Sequence, residues 1–350
     1  MEIILNEMSG GERDMFNHRL AKVAASGLLL LAVLAGCSTT DAGPASPSSS
    51  AAPAAAGGDQ PLPKVRYAAF NGISGLAVKF GAEKNFFKEE GLDVEFITTQ
   101  DPIAGLVSKD IDVADIATTS AIVAAGKGAP IKIVSSMFRT KGPFYLLARP
   151  EIKTVEDLKG KKVGGAAFGS GLDVYTQVIL SKHGLSKKDV TYIANGVNDA
   201  AYASLTTGQV DATIIHEPFV SLAEQEGTGV LLAQGWEYLP DFHTGVLAAN
   251  DTVIADNPEV IEKLLRAYFR SQAYAKEHLD EYKTFLLAQM KVDKAALDKA
   301  FEREAVLWEN IPDVNKEALQ KTQELQVELG FQDKVYNTDD ILDLRFIPQK

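Results

Sequence analysis

Three stretches carry residue types that can do chemistry: His216-Glu217-Pro218, the glycine-bracketed serine of Phe168-Gly169-Ser170-Gly171, and the hydroxyl run Thr118-Thr119-Ser120. A His-Glu pair suits zinc hydrolysis only as H-E-x-x-H on a helix, and here the proline that follows at once would break such a helix. Ser170 would be a nucleophile in a G-x-S-x-G elbow, but Phe168 stands where the first glycine is required. The same turn lacks the third glycine of a dinucleotide fingerprint, because Val174 takes that place, and no phosphate loop of the form G-x-x-x-x-G-K-[ST] occurs. Beyond the first forty residues the histidines are scattered at 183, 216, 243 and 278, and Cys37 is the only cysteine. The reading therefore assigns no catalytic residue, no metal site and no cofactor.

Holding a ligand is the remaining chemistry. A strand running through Lys162–Phe168 (KVGGAAF) into the Gly169-Ser170-Gly171 turn and then a helix leaves N–H groups unpaired where peptide dipoles favour negative charge. The turn can cradle something small and electron-rich, although a tight turn needing glycine angles would read the same way. Asp173, in the first helical turn, is read as a dipole-stabilising acid rather than a ligand contact. His216 and Glu217 fit a cleft contact and a hinge loop equally. Trp236 fits core packing and a stacking wall equally, and a core role for Phe70 and Phe168 competes with a lean toward the ligand.

The elements that position these residues come in two rounds. Lys64–Phe70 reads KVRYAAF against KVGGAAF, five identities in seven at an offset of 98. The first round is strand 65–70, helix 76–90, strand 93–98, helix 103–109, strand 113–116 and, behind an expected Ser120 cap, helix 121–127. Strands 131–138 and 144–149 follow. The second round is strand 163–167, helix 172–182, strand 190–194, helix 200–206 and strand 210–216. Alternating strands and helices predict a parallel sheet covered on both faces, with ligands bound beyond the carboxyl ends of the strands. That rule selects Phe70, Asn71, Thr118, Thr119, Ser120, Phe168, Gly169, Ser170, Gly171, Asn195, His216 and Glu217; Trp236 is added after strand 230–233. Beyond strand 244–249 the pattern turns helical to about Gly330, a tail expected to complete the first half.

A formal charge of −12 over 350 residues argues against a nucleic-acid partner, since a polyphosphate requires a basic surface. Arg19 and Lys22 precede an apolar run over 23–35 that ends in Leu34-Ala35-Gly36-Cys37. This has the parts of a secretory signal over 1–36 and is too short for a membrane span of ~20 apolar residues. Residues 1–14 hold four acids and one base, which makes Met15 the better start. Residues 38–63 are Ala, Pro, Ser, Gly and Thr almost throughout and read as a disordered tether spanning on the order of 30 Å.

The run KVRYAAFNGISGLAVKFGAEKNFFKEEGLDVEFI, then DIDVADIATTSAIVAAGKGAPIKIV, IKTVEDLKGKKVGGAAFGSGLDV and ASLTTGQVDATIIHEPF, resembles the sulfonate, nitrate, taurine and thiamine-precursor (pyrimidine) branch of the ABC-transporter solute-binding proteins. The resemblance covers about residues 64–270. It implies the periplasmic-binding-protein type II fold: α/β, two lobes with mixed sheets flanked by helices, and a helical C-terminal segment on lobe one. Lobe one would be 64–145 plus 250–350, lobe two 146–249, with crossovers near 144–149 and 244–249. It also implies a small-molecule ligand in the interlobe cleft, hinge closure, a membrane permease as partner, a monomer, and an extracytoplasmic place secured by lipidated Cys37 in a lipobox-like L-A-G-C. The ligand's polar head would face Ser170 and the helix start, and its body the aromatic residues. The branch includes a pyrimidine synthase that uses a cysteine cluster and iron, and a single cysteine disfavours that activity. No Arg or Lys stands at the chosen pocket positions, so a pyrimidine-like heteroaromatic ligand weighs as much as a sulfonate. An enzyme of pyrimidine chemistry or a ligand sensor for a membrane receptor are the alternatives.

Overall fold

The computed structural model describes residues 62–73, 75–99, 101–137 and 141–348. The expected signal segment, the start at Met15, Cys37 and the tether as far as residue 61 lie outside the described residues.

Among the described residues ten strands are laid out as β1 (Lys64–Ala68), β2 (Asp93–Phe96), β3 (Val113–Ala117), β4 (Ile131–Ser136), β5 (Tyr145–Ala148), β6 (Lys162–Gly164), β7 (Thr191–Ile193), β8 (Ala212–Ile215), β9 (Val230–Gln234) and β10 (Gly245–Asn250). They form two five-stranded sheets, ordered β2-β1-β3-β10-β4 and β7-β6-β8-β5-β9. The two copies of the repeat hold the same station, each at the centre of a parallel trio, β2-β1-β3 and β7-β6-β8. The sheets are mixed rather than purely parallel, because one strand of each enters antiparallel: β10 between β3 and β4, and β5 between β8 and β9. The chain thus crosses between sheets twice, through 137–144 and 235–244. Residues 145–148 and 245–249, expected near or as crossovers, are strands, and 245–249 pair in the first sheet.

Both sheets are covered on both faces, and the side chains follow the two-residue period. In β10, Leu247 and Ala249 enter one core and Val246 and Ala248 the other. In β5, Leu146 and Ala148 face the helix Gly171–Lys182, while Tyr145 and Leu147 face the helices Asp199–Thr206 and Phe219–Glu226. The tail serves both sheets: Tyr268, Leu297 and Phe301 lie in a core of the first, whereas Leu325, Leu329 and Phe331 pack against the second.

Three local expectations change. The helix expected over 76–90 ends at Glu83, and Asn85 at φ 66° separates it from the turn Phe86–Glu89. The helix expected from Ala121 begins at Thr118 with Ala117 as its cap, so Ser120 lies inside it. Strand β6 stops at Gly164 rather than Ala167: Ala166 adopts φ 57°, and the ring of Tyr192 fills the space a Cβ on Gly165 would need.

Candidate functional site

A cavity of about 670 Å³ opens between the carboxyl ends of the two sheets, within the range that holds a small organic molecule. Strands of the first sheet contribute Phe70 and Asn71 after β1, Thr98 and Thr99 after β2, and Asp115 within β3; Lys79 reaches in from the helix Leu76–Glu83. Facing them are Ser170 and Gly171 at the start of the helix Gly171–Lys182, Gly196 to Asp199 beyond β7, and His216 after β8. Phe144, at the end of a crossover, forms an edge contact with His216 at 5.0 Å between ring centres.

The Ser170 turn is organised by the side chain expected to do least. Asp173 is fully buried; it accepts from Gly169 N–H (2.7 Å), Tyr192 hydroxyl (2.5 Å) and Gln177 amide (3.0 Å), and pairs with Lys187 at 3.2 Å. Ser170 caps the helix, its Oγ accepting from Asp173 N–H at 3.3 Å. The N–H of Gly169 is therefore spent on Asp173, while those of Gly171 and Leu172, the first two of the helix, meet no acceptor among the described residues. Two open N–H groups at the positive end of a twelve-residue helix are a place for an acceptor or an anion.

On the opposite wall, Asp115 fixes the loop after β1. Its carboxylate accepts from Tyr67 hydroxyl at 2.6 Å and from Phe70 N–H at 3.1 Å. Burial pushes this carboxyl up to about 7, against the two donors that lower it. Gly75 lets the loop fold back, since a Cβ there would stand 1.8 Å from the Phe70 carbonyl oxygen. Beside the crossovers, His243 is buried with Nδ1 against Thr118 Oγ1 at 3.0 Å and Nε2 without a partner among the described residues. Desolvation pushes its pKa down to about 4, so it stays neutral.

Of the residues chosen from the sequence, the cavity gathers Phe70, Asn71, Ser170, Gly171 and His216. The others stand elsewhere. Thr118 is committed to His243; Thr119 is buried, its Oγ1 unpartnered among the described residues and 4.0 Å from where a Cβ on Gly171 would be; Ser120 sits within its helix. Phe168 is 62% exposed, stacked on Tyr192 at 5.9 Å beneath the Lys187 ammonium, and does not line the cavity. Asn195 spends its amide beside the second sheet, accepting from Ala166 N–H (3.2 Å) and donating to Ser204 and Thr213 hydroxyls (2.8 Å each). Glu217 is buried in an ion pair with Arg303, and Trp236 packs edge-on to Tyr145 at 5.3 Å. The sequence reading missed Lys79, Asp115, Phe144 and Asp199. Thr98 and Thr99 were within reach of the strand-end rule; Lys79 on a helix face carried no such signal, and it supplies the cation the chosen positions lacked. Among the described residues no group of three or more His, Cys, Asp or Glu is placed to hold a metal ion, and no helix is long and apolar enough to cross a membrane.

Two mixed sheets joined by two crossovers, with a cleft at their strand ends, are the periplasmic-binding-protein fold, the class to which this chain's architecture belongs. The chain belongs to the family described as NMT1/THI5 like, whose profile matches residues 76–282. It is 26% identical over 300 residues, 84% of this chain and 90% of the relative, to a Bacillus subtilis (strain 168) protein named as an aliphatic sulfonates-binding protein. Its fold is similar to the alkanesulfonate-binding protein SsuA from Xanthomonas axonopodis pv. citri bound to MOPS, with a TM-score of 0.67 at 16% identity over 82% of this chain and 99% of that one. A desulfurization enzyme, DszB, in complex with biphenyl-2-sulfinic acid, has the same fold at a TM-score of 0.61 and 13% identity, covering 82% of this chain and 98% of that one.

Proposed function

We propose that this chain is the solute-capturing component of an ABC importer, exported, held outside the cell membrane through lipidated Cys37, and monomeric. It takes a small organic anion, sulfonate-like in its head group, into the cleft between a lobe built on the first sheet and a lobe built on the second, with the hinge where the chain passes between the sheets, including residues 141–144 and 235–244. The observation that carries this is the pair of open N–H groups of Gly171 and Leu172, with Gly171 lining a cavity of about 670 Å³ that Lys79 lines from the other lobe. A ligand held by both favours the closed arrangement only through contacts that the open one lacks, and that closed surface is what the permease would read.

Calorimetry with ethanesulfonate, taurine, MOPS and nitrate tests the proposal. Ser170→Trp should abolish binding while the variant still unfolds cooperatively; a wild-type chain that binds none of these anions, or a variant that keeps its affinity, overturns it. The second reading, a planar pyrimidine-like ligand, is favoured by Phe70, which lines the cavity with 39% of its surface exposed, and by Phe144. It predicts pyrimidine binding indifferent to Lys79→Ala. An enzyme on this fold would turn over a sulfinate or pyrimidine substrate, and a sensor would bind a receptor in place of a permease.

A further inference from the structure

The turn His216-Glu217-Pro218 looks two ways. His216 lines the cavity, while the next side chain, Glu217, is buried away from it, accepting from the N–H (3.0 Å) and hydroxyl (2.9 Å) of Ser221. Its remaining partner is Arg303, from the helix Lys294–Glu304. That helix buries Leu297, Ala300 and Phe301 in a core of the first sheet, so by packing it belongs to the opposite lobe. The same guanidinium donates to Glu224 at 2.8 Å and to Ser221 Oγ at 3.2 Å, and lies 5.7 Å from the ring centre of Tyr145. Lys299 adds a pair with Glu224 at 2.5 Å, and the Gln225 amide donates to Asp293, which caps the helix, at 2.5 Å.

We propose that Arg303 is a positioning residue for the cleft: it straps the helix Lys294–Glu304 of the first lobe to the cleft-side turn of the second, and so sets where His216 stands and how far the lobes part. The strap rests on the solute-binding reading for its purpose but needs no ligand to exist. Burial raises the Glu217 carboxyl above the usual range and Arg303 opposes that shift, so a swing that separates the two leaves a buried charge without its partner. The equilibrium between arrangements is therefore biased from a face of the molecule that touches no solute.

Two readouts on the full-length chain separate the strap from the ligand reading: amide exchange without ligand, followed by mass spectrometry, and titration with ethanesulfonate. Arg303→Met should speed exchange over residues 216–222 and weaken ethanesulfonate about tenfold, the scale of coupling between contacting charged groups. Arg303→Lys should recover part of both. Arg303→Met combined with Glu217→Gln removes the orphaned charge; it should regain the melting temperature yet keep the fast exchange and the weakened affinity. Recovery of exchange and affinity together with stability would make Arg303 merely structural and overturn the proposal, as would an Arg303→Met chain with unchanged exchange. If the wild type does not bind ethanesulfonate, the ligand reading falls and the exchange comparison still decides the strap.

Discussion

Asp115 and His243 are titratable groups kept from water near the cleft, and their effects on stability run in opposite directions. Asp115 is held at about 7 against 3.8, so between those values the folded chain keeps a proton that the unfolded chain has released. Its contribution to stability is complete below the lower value and is lost as pH rises to about 7. His243, at about 4 against 6.5, costs stability as pH falls through that interval, because only the unfolded chain takes up the proton. The two slopes offset one another between about 4 and 6.5. Asp115→Asn should therefore gain on the wild type between pH 5 and pH 8, by on the order of a few kcal/mol, read by denaturant unfolding at both values; a constant difference would contradict it. Lys79 is the lysine of the cavity wall. Lys79→Ala should weaken ethanesulfonate by roughly tenfold, the order of one partly screened charge contact, and leave a neutral pyrimidine unaffected in the same calorimeter.

At the scale of elements, two phenylalanines show what the repeat could and could not convey. KVRYAAF and KVGGAAF occupy equivalent strands, so the order of strands and helices, and hence the cleft end of each sheet, was legible from the sequence. The fate of the two phenylalanines was not: Phe70 is pulled over the cavity by its N–H bond to Asp115, while Phe168 is turned outward by the left-handed Ala166 and the stack on Tyr192. Asp115 and Tyr192 act from neighbouring strands of their sheets, which no local pattern encodes. Gly75→Ala should displace the Phe70 loop and cost about 1–3 kcal/mol as overpacking does, with affinity falling in parallel; a variant of wild-type stability and affinity would deny the close approach. Asp173→Ala removes the acceptor that gathers Gly169, Gln177, Tyr192 and Lys187, and should destabilise by at least about 3 kcal/mol, as buried ion-pair truncations do. The sequence marked this acid only as a dipole partner because its four partners come from the turn, the helix and beyond it.

For the whole molecule, the periodicities of 2 and 3.6 were enough to foresee two α/β halves, and the helical tail was visible as a change of pattern after residue 250. Which strands belong to which sheet was less visible, since β5 and β10 are buried throughout and carry no mark of the sheet they enter. A solute held between the halves should stabilise both together: at a hundredfold excess over Kd, about 2.7 kcal/mol is expected, seen as one shifted melting transition. A ligand that raised only one of two resolved transitions would place it on a single lobe.

The placement of β10 also sets an order of events when the chain is made. The second sheet is contiguous, β5 to β9, and can pair as soon as residue 234 is available. The first cannot: β3 and β4 are separated by a gap that only residues 245–250 fill, so each waits with an open edge while more than a hundred residues emerge. The amino-terminal half of the first sheet is thus made early and finished late, which favours keeping the chain extended until β10 arrives and penalises any truncation before it with exposed, aggregation-prone strands.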